Sequence, residues 1–270
     1  MKNLAFLVIA LVFFGCDQIT EPYDENFVIE GEKVILLEDF TGHTCSNCPA
    51  ASVTAKSLLD VYGDNLVVVA THNTQFADPK GNLSADYRTE TGEELDNIFS
   101  IQEAGLPKGM INRVEYENTL LMNHTAWGSA VAEALRAPAT HNIELIATFD
   151  ERTREVVLNA EIEFLNFGTK TTQLVVYALE DSIVSPQKNE TEFVVDYVHN
   201  HMLRMNVSAG GTFGDKVTNV EVGPGTKINK TYTFTLPEEY RENHIDLVAY
   251  VHDNSTKEVF QAQKLHLIKE

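Results

Sequence analysis

The sequence predicts an α/β domain followed by an all-β domain, because its hydrophobic pattern changes near residue 139. Before that point, the nearly continuous apolar runs 33–40 and 65–70 indicate strands buried on both faces, with helical patterns between and after them. After it, apolar residues alternate with other residues in runs that turn sequences separate. Such alternation is typical of antiparallel strands in a β-sandwich, so we expect two domains, each with its own sheet.

The first domain is predicted to run strand, helix, strand, helix, strand, helix, with part of its sheet parallel. The first helix stops at Gly63, a weaker helix spans about 93–99, and the sequence GLPKG leads into the third strand. Two helices carry an apolar face, formed in the first by Ala51, Ala55, Leu58, Leu59 and Tyr62 and in the last by Trp127, Val131, Ala134 and Leu135.

The second domain is predicted from period-two alternation between turn-rich segments such as FDERTRE and GPGTK. Its inward-facing residues fall into four sets: Ile143, Leu145, Ala147 and Phe149; Leu158, Ala160, Ile162 and Phe164; Tyr232, Phe234 and Leu236; and Ile245, Leu247, Ala249 and Val251. We expect the opposite faces of these strands to be polar and exposed to solvent.

The composition of the 270-residue chain is that of a globular protein, with 43% hydrophobic and 22% charged residues. Its formal net charge is −20, which argues against nucleic acid as a partner because little would neutralise the phosphates. The same charge disfavours adsorption to anionic lipid.

The N-terminus predicts export. Lys2 precedes an apolar run over residues 4–14 that is too short to span a bilayer, and Gly15-Cys16 follows it. A small residue directly before Cys resembles a bacterial lipoprotein signal, which implies a signal peptide over 1–15 and a lipid on Cys16. The polar segment 16–30 then reads as a tether. The alternative is an ordinary signal peptide cut elsewhere, with Cys16 free.

Two of the three cysteines, Cys45 and Cys48, form a CxxC motif between the first strand and the first helix. At a helix N-terminus a thiolate is stabilised, so we expect Cys45 to be the exposed nucleophile and Cys48 the resolving thiol. Two alternatives stay open. The pair could belong to a zinc site with His43 or His72, although a fourth ligand is lacking, or it could be an inert disulfide.

The residues around the CxxC resemble the thioredoxin fold. Asp39 stands six residues before the first Cys, where that family has a buried Asp, and Gly-Leu-Pro puts Pro107 in the place of the family's cis-Pro. The resemblance implies that Asp39 exchanges a proton with Cys48 and that Pro107 faces the disulfide. Thr44 and Ser46-Asn47 depart from the family pattern, so the family's redox potential cannot be transferred.

A second resemblance covers nearly the whole mature chain. The lipoprotein signal, the segment EDFTGHTCSNCP, the pair Asn112-Arg113 and the segment DYVHNHMLR at 196–204 are similar to those of the outer membrane protein 28-related lipoproteins of Gram-negative bacteria. This family implies an outer-membrane location on a lipid anchor, facing the periplasm or the surface. It is defined by architecture more than by a reaction.

Together these features predict a thioredoxin-like domain over 31–138 and an immunoglobulin-like β-sandwich over 139–270. The predicted function is a lipid-anchored envelope thiol–disulfide oxidoreductase that uses Cys45, Cys48, Asp39 and Pro107, with envelope proteins carrying thiols or disulfides as partners. The alternative is a binding lipoprotein with a structural Cys45–Cys48 disulfide. We expect no cofactor and no metal. His199 and His201 are predicted to share one strand face, either as packing residues or as metal ligands.

Overall fold

The computed structural model describes residues 33–169 and 171–268, within which four α-helices and fifteen strands are present. The predicted signal peptide, Cys16 and the tether lie outside these residues. The helices are α1 (Cys48–Tyr62), α2 (Glu90–Phe99), α3 (Ile101–Ala104) and α4 (His124–Ala134). The strands are β1 (Ile35–Thr41), β2 (Leu66–His72), β3 (Lys108–Ile111), β4 (His141–Asp150), β5 (Glu155–Phe164), β6 (Thr172–Glu180), β7 (Ile183–Val184), β8 (Gln187–Asn189), β9 (Glu192–Val194), β10 (Val198–His199), β11 (Met202–Asn206), β12 (Asp215–Lys216), β13 (Lys227–Thr235), β14 (Ile245–Asp253) and β15 (Val259–His266).

The fold is a mixed α/β arrangement in which strands predominate and form several sheets. The largest sheet has the order β15-β14-β6-β11-β2-β1-β3, with β12 paired to β6. Strand β2 is parallel to both β1 and β11, and the remaining neighbours are antiparallel. The sheet therefore takes strands from both halves of the chain, joined where β11 pairs with β2.

The expectation of a separate sheet for each half is wrong. The Ala70 N–H donates to the His201 carbonyl over 2.8 Å, and Met202 pairs with Ala70, so β11 continues the first half's sheet into the second half. The predicted boundary at 138/139 does fall between α4 and β4, where helices give way to strands.

The burial of β6 and β14 explains why the two halves share one sheet. Every residue of β6 is buried, and β14 is buried up to its last residue, so these strands do not have the solvent-exposed face expected of sandwich strands. Their second face carries Tyr177 and Tyr250, which join a buried cluster with Leu36 and Val69 from the first half. The second face of β6 and β14 is thus covered by the first half of the chain and not exposed to solvent.

The first face of β6 and β14 packs against a second sheet of three strands with the order β13-β5-β4. The four alternating sets predicted from the sequence lie in or against the shared core, and Leu158, Ala160, Ile162 and Phe164 of the second set are fully buried. Strand β6 adds Leu174, Val176 and Ala178. This part of the molecule is a two-layer β arrangement.

Helices α1 and α4 pack on one face of β1 and β2. Their cluster contains Ile35, Leu37, Ala51, Leu58 and Trp127, and the predicted apolar face of α1 is buried at Ala51, Ala55 and Leu58. This packing holds the start of α1 above the C-terminal ends of β1 and β2, where the candidate site lies.

Candidate active site

The CxxC motif lies in the loop between β1 and α1, and Cys45 and Cys48 form a disulfide with their Cα atoms 5.5 Å apart. Helix α1 begins at Cys48, with Asn47 as its N-cap and Pro49 in its first turn. Cys45 thus precedes the helix. It lies outside the helix, three residues before Cys48, and its disulfide to that first helical residue keeps it at the N-terminal end of α1.

The loop is held against residues 74–77 by close backbone contact. A Cβ added to Gly42 would lie 2.5 Å from the Phe76 carbonyl carbon and oxygen. The Phe76 carbonyl also accepts hydrogen bonds from the Thr44 N–H at 3.0 Å and the Thr44 hydroxyl at 2.8 Å. Gly42 is therefore required where the chain enters the CxxC loop.

Asp39 lies on β1, on the same strand face as Ile35 and Leu37 and hence beneath α1. It is 2% exposed, and its Oδ1 has no hydrogen-bond partner among the described residues. Burial raises the pKa of Asp39 to about 7, because desolvation disfavours the charged carboxylate. Its carboxyl can therefore hold or release a proton near neutral pH.

A cavity of about 340 Å³ connects Asp39 with Cys48. Helix α1 contributes Ser52 and Val53 to its walls, and β2 contributes Ala70 and His72. The remaining wall comes from the segment 181–201 of the second half. Cys45 does not line this cavity.

The hairpin of β8 and β9, residues 187–194, lies over the CxxC loop, and we call it the covering hairpin. Gln187 Nε2 donates to the Cys45 carbonyl over 3.0 Å and lies 3.3 Å from the Gly42 carbonyl. The Lys188 N–H donates to the His43 carbonyl and the Glu190 N–H to the Ser46 carbonyl, over 2.9 and 2.8 Å.

Both cysteines of this loop are buried, Cys45 at 2% and Cys48 at 1% exposure. The expectation that Cys45 is the exposed nucleophile is therefore wrong for this conformation. In this conformation the disulfide therefore offers a protein thiol almost no exposed surface to attack.

Three histidines, His43, His72 and His199, lie near one another beside the cavity. The ring centroids of His72 and His199 are 5.4 Å apart, and those of His43 and His72 are 6.4 Å apart. Neither ring nitrogen of His72 has a hydrogen-bond partner in the described part of the chain. Burial lowers the pKa of His199 to about 4 and that of His72 well below its usual range, so both rings are neutral at pH 7.

The expectation that His199 and His201 share one face of a strand is wrong. His199 ends β10 and faces the Ser185 carbonyl at 3.3 Å, whereas His201 has a positive φ of 55° in the turn before β11 and lies 3.3 Å from the Asp181 carboxylate. Within residues 33–169 and 171–268, no group of three or more His, Cys, Asp or Glu side chains could hold a metal ion.

Pro107 follows Leu106 through a cis peptide bond, the isomer that the thioredoxin resemblance implies. It immediately precedes β3, whose first residue Lys108 pairs with Phe40. This antiparallel register sets Pro107 level with Thr41, at the end of β1 from which the CxxC loop departs. Pro107 does not line the cavity.

The family model for outer membrane protein Omp28 matches residues 95–270, well over half of the chain. The chain belongs to the Omp28 outer membrane protein family. The CxxC motif precedes the matched region, so membership of the Omp28 family does not by itself assign a role to the disulfide. No curated protein matches the chain.

The chain is similar to several solved structures to different degrees. HBP35 of Porphyromonas gingivalis superposes with a TM-score of 0.69 at 18% identity, covering 88% of this chain and 76% of HBP35. A structural-genomics structure from Agrobacterium tumefaciens has a TM-score of 0.54 at 11% identity and covers 88% of this chain and 96% of its own. A domain of the Porphyromonas gingivalis outer membrane lipoprotein Omp28 is 22% identical over 48% of this chain and 88% of the domain, with a TM-score of 0.34.

Two of the segments that resemble the Omp28-related lipoproteins, Asn112-Arg113 and 196–204, lie at positions that connect parts of the fold. Asn112 Oδ1 accepts the Leu36 N–H over 2.8 Å and the Asn112 carbonyl accepts the Val259 N–H over 2.8 Å, so this residue ties β1 to β15. The segment 196–204 supplies Tyr197 and His199 to the cavity wall and contains the start of β11. No helix in the described ranges has the length and apolarity needed to cross a bilayer.

Sequence reasoning missed Gln187 and Tyr197. Tyr197 lines the cavity, and its pKa is raised mainly by burial, with a smaller contribution from the charge of Asp39. Gln187 carries no local signal, because its partner Cys45 lies 142 positions away. Tyr197 stood within the segment 196–204, which was the one available indication.

Proposed function

We propose that the protein is a thiol–disulfide oxidoreductase of the cell envelope that acts through the Cys45–Cys48 pair. The observation that carries this proposal is the shared cavity, which is lined by both Cys48 and the buried Asp39, whose Oδ1 has no hydrogen-bond partner among the described residues. A carboxyl with a pKa of about 7 suits proton exchange with a thiol at neutral pH.

The exchange step balances without a cofactor. A substrate thiolate attacks Cys45 Sγ, the Cys45–Cys48 bond breaks, and its electron pair passes to the Cys48 sulfur, which takes a proton from Asp39. The substrate's second thiolate then attacks the mixed disulfide and releases Cys45. The substrate dithiol is oxidised and the CxxC is reduced. In the reverse direction Asp39 accepts the proton from Cys48.

We further propose that residues 31–138 are a thioredoxin-like unit and that residues 139–270 contribute an immunoglobulin-like β-sandwich fused to it. The parallel pair β1 and β2 joined by α1 and the antiparallel β3 support the first assignment. The two-layer packing of β4, β5 and β13 against β6 and β14 supports the second.

The proposed location is the outer membrane, through a lipid on Cys16 after removal of residues 1–15. Membership of the Omp28 family supports the outer membrane, and the Gly15-Cys16 sequence supports the lipid. Partners would be envelope proteins that carry thiols or disulfides. Mass spectrometry of the N-terminal peptide from the native protein tests the anchor, with an unmodified Cys16 contradicting it.

A second candidate function is a binding lipoprotein whose disulfide is structural. The burial of both cysteines favours this candidate, as does a family match that begins after the CxxC. It predicts a disulfide that resists exchange.

Equilibration with glutathione buffers decides between the two candidates. The native protein is incubated at a series of thiol-to-disulfide ratios, alkylated, and the reduced fraction is read from the mass shift. For an oxidoreductase we expect a reduction potential above about −300 mV, the approximate upper bound for structural disulfides in secreted proteins. A lower potential would support the binding lipoprotein.

A further inference from the structure

The covering hairpin contacts the CxxC loop through the groups that an extended polypeptide would offer. Its two backbone donors, the N–H groups of Lys188 and Glu190, are two residues apart and reach the carbonyls of His43 and Ser46. Just before the first donor, the buried Gln187 side chain reaches the Cys45 carbonyl. The loop therefore presents a row of backbone acceptors directly at the disulfide.

These contacts differ from ordinary core packing. They are polar and few, and they join a two-stranded hairpin to a loop instead of extending the large sheet. Phe193 in the hairpin and Val195 just after it are 59% and 66% exposed. Burial of these apolar side chains therefore does little to hold the hairpin in place. A segment fixed mainly by hydrogen bonds to carbonyls can be replaced by another chain with the same donors.

We propose that the covering hairpin occupies the binding site of a substrate polypeptide on the carbonyl row of the CxxC loop. The occupant is an extended segment with two N–H donors two residues apart, preceded by a side chain that donates a hydrogen bond, as Gln187 does. The assignment of this polypeptide as a substrate rests on the proposed exchange function, whereas the site itself does not.

The covering hairpin competes with the substrate because it is part of the same chain as the site. A tethered segment acts at an effective concentration in the millimolar range, so a free polypeptide competes only when its own contacts are better or when the hairpin is weakened. The Cys45–Cys48 disulfide is then protected in the closed form and reached in the open form.

The test measures the rate at which dithiothreitol reduces the disulfide in the folded full-length protein. Gln187→Ala removes the donor to the Cys45 carbonyl, and Lys188→Pro removes the N–H that reaches the His43 carbonyl. We expect each variant to be reduced on the order of tenfold faster than the wild type. Phe193→Ala, in the same hairpin with an exposed side chain, is the matched control and should keep the wild-type rate.

A peptide with the sequence of residues 185–191, SPQKNET, then tests the site in trans. At millimolar concentration it should slow reduction of the Gln187→Ala protein, whereas the same peptide with Ala in place of Gln should not. Wild-type reduction rates in both hairpin variants would overturn the proposal. So would equal protection by the two peptides, or none. Because the readout is access to the disulfide, a protein that lacks exchange activity towards protein substrates can still pass this test.

Discussion

Arg113 and Glu38 form a buried ion pair with two hydrogen bonds, from Nε to Oε2 over 2.8 Å and from an Nη to Oε1 over 2.7 Å. Glu38 comes from β1 and Arg113 follows β3, and the same guanidinium donates to the Tyr250 hydroxyl on β14 over 2.9 Å. This contact links the two halves of the chain inside the large sheet, and it gives the Asn112-Arg113 segment a structural role.

Removing one member of this pair should be costly. Glu38→Gln leaves the Arg113 charge buried with weaker partners, and we expect a loss of about 3–5 kcal/mol in the free energy of unfolding. Urea denaturation measures it. The exposed pair Lys56–Asp60 is the control, since Asp60→Asn should change stability by less than about 0.5 kcal/mol. A loss in Glu38→Gln no larger than in this control would contradict the role of Arg113 as a link.

Asp39→Asn should change how stability depends on pH. The pKa of Asp39 is about 7 in the folded protein against 3.8 for an ordinary Asp, so between these values the folded state binds more protons than the unfolded state. The contribution of Asp39 to the free energy of unfolding therefore falls as pH rises through this window. The total fall is on the order of 4 kcal/mol, at about 1.4 kcal/mol for each unit of difference between the two pKa values. Urea titrations at pH 4.5 and 8 measure it as a difference between variant and wild type.

We expect Asp39→Asn to gain stability relative to the wild type at pH 8 and to gain little at pH 4.5. The buried histidines have the opposite effect on how stability depends on pH. A histidine such as His199, whose pKa is lowered in the folded protein, destabilises the fold when the pH falls below the pKa of that histidine in the unfolded chain. These histidines are common to both proteins and cancel in the difference. A difference that does not vary with pH would contradict a raised pKa at Asp39.

The same substitution should slow exchange. The amide side chain of the Asp39→Asn variant cannot give a proton to Cys48 or take one from it, so we expect release of mixed disulfides to slow by about 10²-fold or more near pH 7. Stopped-flow alkylation of single-turnover reactions measures this rate. An unchanged rate across pH 6 to 8 would reduce Asp39 to a structural residue.

Gly42→Ala should loosen the CxxC loop. The added Cβ would lie 2.5 Å from the Phe76 backbone, so the loop or residues 74–77 must shift, at about 1–3 kcal/mol in unfolding free energy. The control is Gly128→Ala in α4, where the nearest atom is 3.6 Å away and a helix interior favours Ala by up to about 1 kcal/mol. In thermal unfolding we expect the melting temperature to fall in Gly42→Ala and to rise in Gly128→Ala. A higher melting temperature in Gly42→Ala would contradict the close contact.

The elements that the sequence predicted well are those with strong local patterns. The run 33–40 became β1, and the apolar face of the first helix became the buried face of α1. The continuous apolar run LVVYAL in β6 signalled a strand buried on both faces, and neglecting it led to the expectation of two separate sheets.

The cover over the disulfide could not be predicted from local patterns. Strands β8 and β9 have three residues each, too few to show a period, and they are held by partners far away in the chain. The exposure of Cys45 was inferred from its place in the motif, whereas Cys45 is buried and its carbonyl accepts a hydrogen bond from Gln187, 142 positions later.

Trapping of mixed disulfides in the native envelope tests the proposed function most directly. Cys48→Ser and Cys45→Ser are expressed separately, thiols are quenched in acid, and adducts are resolved on non-reducing gels, with the double variant as control. We expect Cys48→Ser to accumulate adducts through Cys45, because no resolving thiol remains, and Cys45→Ser to trap almost none. Equal trapping by both variants would contradict the assigned roles, and the absence of adducts in both would contradict thiol–disulfide exchange and favour a structural disulfide.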